Sequence, residues 1–190
     1  MPIFKTETKR TPTLCHGDLW YIYFMSMITV ITGDRGAGKS QFCLELLERC
    51  EKEGLSAGGF ISPAVYSEGI KTAFYTMDVR TREQRRCGTR TTPDRGTVGC
   101  WQMDRSVLKW GNDLLRNSMS CDVLFIDELG PLEFEKGEGY TEAFSVLKNG
   151  RYGHAYTVIR PECIEAFRLI RPKFEIINVK GGTCITGPRI

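Results

Sequence analysis

The chain contains Ile28-Thr-Val-Ile-Thr-Gly33-Asp-Arg-Gly-Ala-Gly-Lys39-Ser40, in which an apolar β-branched run leads directly into a glycine-rich loop. The loop matches G-x-x-x-x-G-K-[ST] at every specified position. The residues that follow are apolar at helical spacing, namely Phe42, Cys43, Leu46, Leu47 and Cys50. A strand, this loop and then a helix form the context in which the motif binds phosphate. The stretch therefore favours nucleotide binding over an ordinary glycine-rich turn.

Each residue type in the loop suits a phosphate group. The glycines permit backbone conformations that a Cβ forbids, so that main-chain N–H groups can approach the ligand closely. Lys39 is predicted to reach the β- and γ-phosphates, and the Ser40 hydroxyl to bind Mg²⁺. Arg35 could touch phosphate, although a solvated charge is the favoured interpretation. The predicted nucleotide-binding residues are Gly33, Asp34, Arg35, Gly36, Ala37, Gly38, Lys39, Ser40 and Gln41.

A second chemical feature is the acidic pair that ends the apolar run Val123-Leu-Phe-Ile-Asp127-Glu128. In open α/β sheets, ligands bind beyond the carboxyl ends of the strands, where this pair and the Gly33 loop would both lie. Asp127 is predicted to hold Mg²⁺ together with Ser40. Glu128 is predicted to accept a proton from an attacking water, or to orient it. The alternative is a solvated acidic pair at a strand end.

Phosphoryl transfer needs positive charge on the γ-phosphate, and three arginines are candidates for it. Arg160 ends the apolar run Tyr156-Thr-Val-Ile159, while Arg90 and Arg95 lie in a segment that could close over the site. Each could equally be a solvated surface arginine. Lys39, Glu128 and Arg160 are the predicted catalytic residues.

The order of the predicted elements indicates an α/β protein. Strands alternating with helices predict a parallel sheet with helices on both faces. Strands over 57–65 and 71–79, joined by a turn at 66–69, predict a β-hairpin. Residues 87–100 are rich in turn formers and are predicted to form an exposed loop. Other predicted strands cover 123–126, 156–159 and 174–179, and predicted helices cover 40–53, 140–147, 162–170 and a stretch beginning at Asp104.

Composition limits the other classes of function. With 190 residues one domain is expected over 27–190, preceded by a poorly ordered extension over 1–26. The 26 basic and 23 acidic side chains give no case for nucleic acid or a charged membrane surface, and no apolar run is long enough to span a membrane. The eight cysteines include no C-x-x-C pair, which favours free thiols in a cytoplasmic protein over a metal site or disulfide framework.

With these residues in hand, the chain resembles the cancer-related nucleoside-triphosphatase family, which is also known from thermophiles. The resemblance covers roughly residues 27 to 180. Its motifs are the Gly33–Ser40 loop, Gly59-Phe-Ile61, Ala73-Phe-Tyr-Thr-Met-Asp78, Thr97-Val-Gly99 and Ile126-Asp-Glu-Leu-Gly-Pro-Leu-Glu133. The chain departs from the family pattern in having Ser40 where threonine is usual and Pro131 where lysine is usual.

The resemblance implies a three-layer RecA-like P-loop fold with a mostly parallel central sheet and an inserted β-hairpin. It also implies a strand order in which 156–159 lies between the loop strand and the Asp127 strand. The implied activity is slow Mg²⁺-dependent hydrolysis of ATP, GTP and other nucleoside triphosphates. Two alternatives stay open: a small-molecule kinase with residues 87–100 as its lid, and a nucleotide-gated regulatory protein. No protein partner is indicated.

Overall fold

A nine-stranded sheet forms the centre of the computed structural model, which describes residues 26–93 and 99–180. The predicted N-terminal extension, apart from Ser26, and Arg95 lie outside the described residues. The strands are β1 (Met27–Thr32), β2 (Ala57–Ile61), β3 (Ala64–Ser67), β4 (Ile70–Asp78), β5 (Gln84–Arg90), β6 (Trp101–Met103), β7 (Ser120–Leu129), β8 (Arg151–Ile159) and β9 (Glu175–Asn178). The helices are α1 (Lys39–Lys52), α2 (Arg105–Arg116), α3 (Pro131–Phe134), α4 (Glu142–Asn149) and α5 (Ile164–Ile170), with a 3-10 turn (Pro161–Cys163) before α5.

The sheet has a parallel part and an antiparallel part. Its order is β6-β5-β4-β2-β7-β8-β1-β9, and β3 pairs with β4. The strands β2, β7, β8, β1 and β9 are parallel, whereas β4 runs antiparallel to β2, β3 and β5, and β6 antiparallel to β5. The mostly parallel sheet with an inserted hairpin is confirmed. The position of β8 between β1 and β7, which the resemblance implied, is also confirmed.

Helices cover both faces of the parallel part, because its strands are apolar on both sides. One core cluster contains Leu124 and Ile126 of β7 with buried residues of α2, α4 and α5. The opposite cluster contains Val123 and Phe125 of the same strand with the apolar side of α1. All five residues predicted for that side of α1 are buried, as predicted. Sheet and helices therefore form three layers, as the family resemblance implied.

Two sequence predictions are wrong in the antiparallel part. The strand expected over 57–65 is divided into β2 and β3 at Ser62-Pro63, where proline has no N–H for a ladder hydrogen bond. Residues 87–90, expected in an exposed loop, belong to β5, with Cys87 and Gly88 buried. The turn formers hid this strand, which pairs with the neighbouring strands β4 and β6 and whose Cys87 is buried against Tyr140, 53 residues later in the sequence.

One glycine and one aspartate fix the local geometry of elements near the site. Gly59 of β2 has φ 90°, and a Cβ there would collide with the carbonyl oxygen of Phe125 on β7. Its N–H donates to Ser118 Oγ at 2.7 Å. Asp104 caps α2, because its carboxylate accepts from the Ser106 N–H at 2.8 Å. Among the described residues, no helix has the length and apolar character that crossing a membrane requires.

Candidate active site

The predicted phosphate-binding loop lies between the end of β1 and the start of α1. Gly36 has φ 78° and Gly38, the residue that precedes α1, has φ 95°, in the region that L side chains rarely adopt. The first N–H groups of a helix have no acceptor within the helix and carry the positive end of its dipole. The loop and α1 therefore present main-chain donors suited to an anion.

Lys39 folds back over the loop that precedes it. Its Nζ donates to the carbonyl oxygens of Gly33 and Asp34, both at 2.9 Å. Phosphate oxygens would have to replace these carbonyls as the acceptors of the ammonium group. The predicted loop residues Asp34, Arg35 and Gln41 are exposed, and Gln41 donates to Glu45 on α1 at 3.4 Å.

The strand register brings the end of β7 beside the loop. Asp127 pairs with Val158 of β8, and Val158 pairs with Ile31 of β1, two residues before Gly33. Asp127 is buried, and its Oδ2 accepts from the Ser62 N–H at 3.0 Å, while the Ser62 hydroxyl donates to the Asp127 carbonyl. Ser62 at the break between β2 and β3 therefore positions this carboxylate.

The carboxyl group of Asp127 is held in an environment that opposes its charge. Its pKa is raised to about 6, mainly by burial and also by the neighbouring charge of Glu128, while the hydrogen bond from Ser62 acts in the opposite direction. The Ser40 hydroxyl is close enough to favour the charged form. A carboxylate and a hydroxyl are hard oxygen donors, and Mg²⁺ takes few protein ligands and keeps several waters. These two residues therefore fit the cation that the sequence predicted.

Glu128 and Arg160 form an ion pair at the same edge of the sheet. The β7–β8 register shifts between Asp127 and Leu129, so that Glu128 is the extra residue of a bulge, a device that re-aims side chains near active sites. Arg160 follows the last residue of β8, and its Nε donates to Glu128 Oε1 at 2.7 Å. The side chains are 35% and 31% exposed, so both can reach a ligand.

Glu133 supports the segment that follows β7. It is buried, and its two carboxylate oxygens accept from the N–H groups of Gly130 at 2.9 Å and Tyr140 at 3.1 Å. Burial raises its pKa. No role for Glu133 was predicted from the sequence, although a glutamate three positions after Gly130 at the start of a short helix is a capping signal.

A cavity of about 170 Å³ joins these groups to residues for which the sequence predicted no role. Ser40, Asp127, Glu128 and Arg160 line one part of it. The rest is lined by Ser62, Lys71, Phe74, Trp101, Met103, Gly130, Pro131, Leu132, Glu133 and Tyr140. No sequence signal pointed to Lys71, because its place beside the acidic pair depends on β4 lying next to β2.

The structure does not bring every candidate to the cavity. Arg90, at the end of β5, is exposed and does not line it. Arg95 lies outside the described residues. Of the three arginines considered, the structure therefore places Arg160 at the acidic pair. Within 26–93 and 99–180, no group of three or more His, Cys, Asp and Glu side chains is arranged to hold a metal ion.

A protein-family model described as NTPase matches residues 28–180. The chain belongs to this family. Its NTPase relatives include the protein named nucleoside-triphosphatase THEP1 of Methanosarcina barkeri, 28% identical over 152 residues, which are 78% of this chain and 86% of the relative. The THEP1 protein of Saccharolobus solfataricus is 30% identical over 106 residues, 55% of this chain and 61% of the relative's length.

Two solved structures show the NTPase-family fold. The solution structure of a human cancer-related nucleoside triphosphatase has a TM-score of 0.63 and 19% identity, covering 83% of this chain and 90% of that one. The crystal structure of THEP1 from the hyperthermophile Aquifex aeolicus has a TM-score of 0.60 and 18% identity, covering 81% and 90%. The P-loop fold and the family that the sequence predicted are thereby confirmed.

Proposed function

We propose that this protein hydrolyses nucleoside triphosphates, ATP and GTP among them, to the diphosphate and inorganic phosphate. The observation that carries the proposal is the meeting of the Gly33–Ser40 loop with Asp127 and Glu128 at one edge of the sheet, around one cavity. Family membership and the THEP1 name of the relatives agree with it.

Binding is assigned to the loop and to α1. Main-chain N–H groups of the loop would hold the β- and γ-phosphates, and Lys39 would exchange the carbonyls of Gly33 and Asp34 for phosphate oxygens. Ser40 and Asp127 would hold Mg²⁺. When bound, that cation would neutralise charge that develops on the phosphates.

Chemistry is assigned to Glu128, with Arg160 beside it. The carboxylate of Glu128 would orient a water for in-line attack on the γ-phosphorus and accept its proton as the bond to the bridging oxygen breaks. The Arg160 contact at 2.7 Å fixes the direction of that carboxylate and adds a cation at the cavity. The cavity walls would limit access of bulk water to the reacting groups.

The kinase alternative has lost the feature on which it rested. Its lid was to be a loop over 87–100, but residues 87–90 are part of β5, and Arg90 does not line the cavity. The regulatory alternative depends on a partner, and no described surface singles one out. Hydrolysis is therefore the function that the geometry supports best.

The first experiment measures phosphate release from ATP, GTP, CTP and UTP with Mg²⁺ and no added acceptor. We expect release from ATP and GTP, and a higher melting temperature in the presence of each nucleotide that binds. Release that begins only when a phosphate acceptor is added would instead identify a kinase.

Two variants separate binding from chemistry. Lys39→Ala is expected to lose both nucleotide affinity and hydrolysis, because the ammonium group would contact the phosphates both in the bound nucleotide and in the transition state. Glu128→Gln is expected to keep nucleotide affinity but lower kcat by about 10²–10⁴-fold, the usual contribution of a general base. Unchanged ATP binding in Lys39→Ala would remove the loop from the binding site.

A further inference from the structure

Lys71 reaches the site from the antiparallel part of the sheet. The last pair between β2 and β4 is Ile61 with Met77, so the earlier residues of β4 extend past the carboxyl edge of the parallel strands. Lys71 lies in that extension, paired with Tyr66 of β3. The hairpin thus carries a lysine over the edge at which the phosphate-binding loop opens.

Two aromatic rings hold the ammonium group of Lys71 in place. Its Nζ lies 4.8 Å from the ring centre of Phe74 and 5.5 Å from that of Trp101. The two rings pack edge to face, with centroids 5.2 Å apart. Lys71 is half-buried, and none of the ion pairs among the described residues includes it. Its charge is therefore fixed at the cavity by the rings without a carboxylate in direct contact.

The charges that act on Lys71 are those of the site. Burial lowers its pKa, the carboxylates of Glu128 and Asp127 raise it, and the cations of Arg160 and Lys39 lower it. Lys71 and Asp127 line the same cavity, although their strands are separated by β2. Lys71 therefore lines the same cavity as Ser40 of the loop and the acidic pair.

The strand order gives Lys71 a distinct position relative to the other cations. Lys39 starts the helix after β1, and β1, β8, β7, β2 and β4 follow one another across the sheet. A triphosphate tail that begins at the loop and ends at Asp127 would thus have Lys39 on one side and Lys71 on the other. Arg160, by contrast, is engaged with Glu128 at 2.7 Å.

We propose that Lys71 is a further catalytic residue, an ammonium group that contacts the transferred phosphoryl group from the side opposite Lys39. This inference rests on the proposed hydrolysis. Charge on the equatorial phosphoryl oxygens is spread in the transition state, and a cation fixed by Phe74 and Trp101 can stabilise it without rearranging. No covalent bond to Lys71 forms, and its proton stays on the ammonium group.

The test compares the wild-type chain with Lys71→Met, which keeps an aliphatic side chain against the two rings. We expect kcat to fall about 100-fold, with ATP affinity by calorimetry unchanged within about threefold. Binding of ADP with aluminium fluoride, which mimics the transferred group, should weaken by about the same 100-fold. Lys71→Arg should recover most of the kcat, because the charge is restored.

The matched control is Arg86→Met on β5. That guanidinium lies 5.8 Å from the ring centre of Tyr75, is exposed and does not line the cavity, so its loss should change kcat less than about twofold. A Lys71→Met protein with wild-type kcat, or one that loses ATP affinity and ADP–aluminium fluoride affinity equally, would overturn the role of Lys71. A wild-type protein that releases no phosphate would instead overturn the proposed hydrolysis, and this role with it.

Discussion

The substitution Asp127→Asn is expected to stabilise the protein when no cation is present. Burial raises the pKa of Asp127 from its usual 3.8 to about 6, so the folded state binds this proton more tightly than the unfolded state. Below pH 3.8 the carboxyl is protonated in both states and its ionisation costs nothing. Between pH 3.8 and about 6 the unfolded state ionises while the buried carboxyl stays protonated, so the free energy of unfolding decreases. It levels off above about pH 6, where both states are ionised.

The size of this effect follows from the two pKa values. The gap between 3.8 and about 6, at about 1.36 kcal/mol for each pKa unit, is roughly 3 kcal/mol when the group is fully ionised. At pH 4 the same linkage predicts that the raised pKa of Asp127 destabilises the folded state by only about 0.5 kcal/mol. Asparagine keeps the shape and cannot ionise. Asp127→Asn should therefore raise the free energy of unfolding by roughly 2–3 kcal/mol at pH 7.5 but by less than about 1 kcal/mol at pH 4.

Urea unfolding followed by tryptophan fluorescence, in EDTA at both pH values, measures the difference. Asp122→Asn is the matched control, because hydrogen bonds from the Ser56 hydroxyl at 2.5 Å and N–H at 2.8 Å lower the pKa of Asp122. Asp122→Asn should lower the free energy of unfolding at pH 7.5, and the difference from wild type should become smaller as the pH falls. An Asp127→Asn protein that is no more stable than wild type at pH 7.5 in EDTA would refute the reasoning.

Three further predictions concern the backbone, the ion pair and the cation. Gly59→Ala should lower the free energy of unfolding, measured in urea, by about 3 kcal/mol or more, because the new Cβ would collide with β7. Gly69→Ala, at φ 76° with open space around it, should lower it by only about 1 kcal/mol, and equal losses would contradict the close approach to β7. Arg160→Met should lower kcat about 10- to 100-fold without changing ATP affinity, because Glu128 loses the partner that orients it. The control is Arg168→Met, which removes an ion pair with Glu165 on α5 and should not change kcat. EDTA should abolish phosphate release and excess Mg²⁺ restore it; turnover that persists in EDTA would exclude the assigned cation site at Ser40 and Asp127.

The loss of stability at Asp127 and the proposed function have the same physical origin. A carboxylate kept from water gains more from a divalent cation than a solvated one, because the cation replaces the missing solvation. The Ser62 N–H offsets part of the burial but leaves the pKa raised. Ser62 makes this contact from the two-residue break between the end of β2 at Ile61 and the start of β3 at Ala64.

The antiparallel part shows where prediction from sequence fails. The sequence of β5, with Gly88 and several charged residues, is typical of a loop, because the burial of Cys87 depends on Tyr140, 53 residues later in the chain. The place of Lys71 likewise depends on residues that are far from it in the chain. Its neighbours at the cavity, Trp101 and Glu128, are 30 and 57 residues away in sequence, so no local pattern could show the contact.

The local sequence was sufficient to locate the Gly33–Ser40 loop between a strand and a helix, the buried side of α1 and the acidic pair near the end of β7. These features depend on residue type and on helical or strand periodicity over short stretches, which can be recognised without knowing the fold. The ion pair of Glu128 with Arg160, the support of Asp127 by Ser62 and the position of Lys71 were decided only by the tertiary structure. Strand order and register bring those groups together, and both arise from pairing and packing between residues that are far apart in the chain.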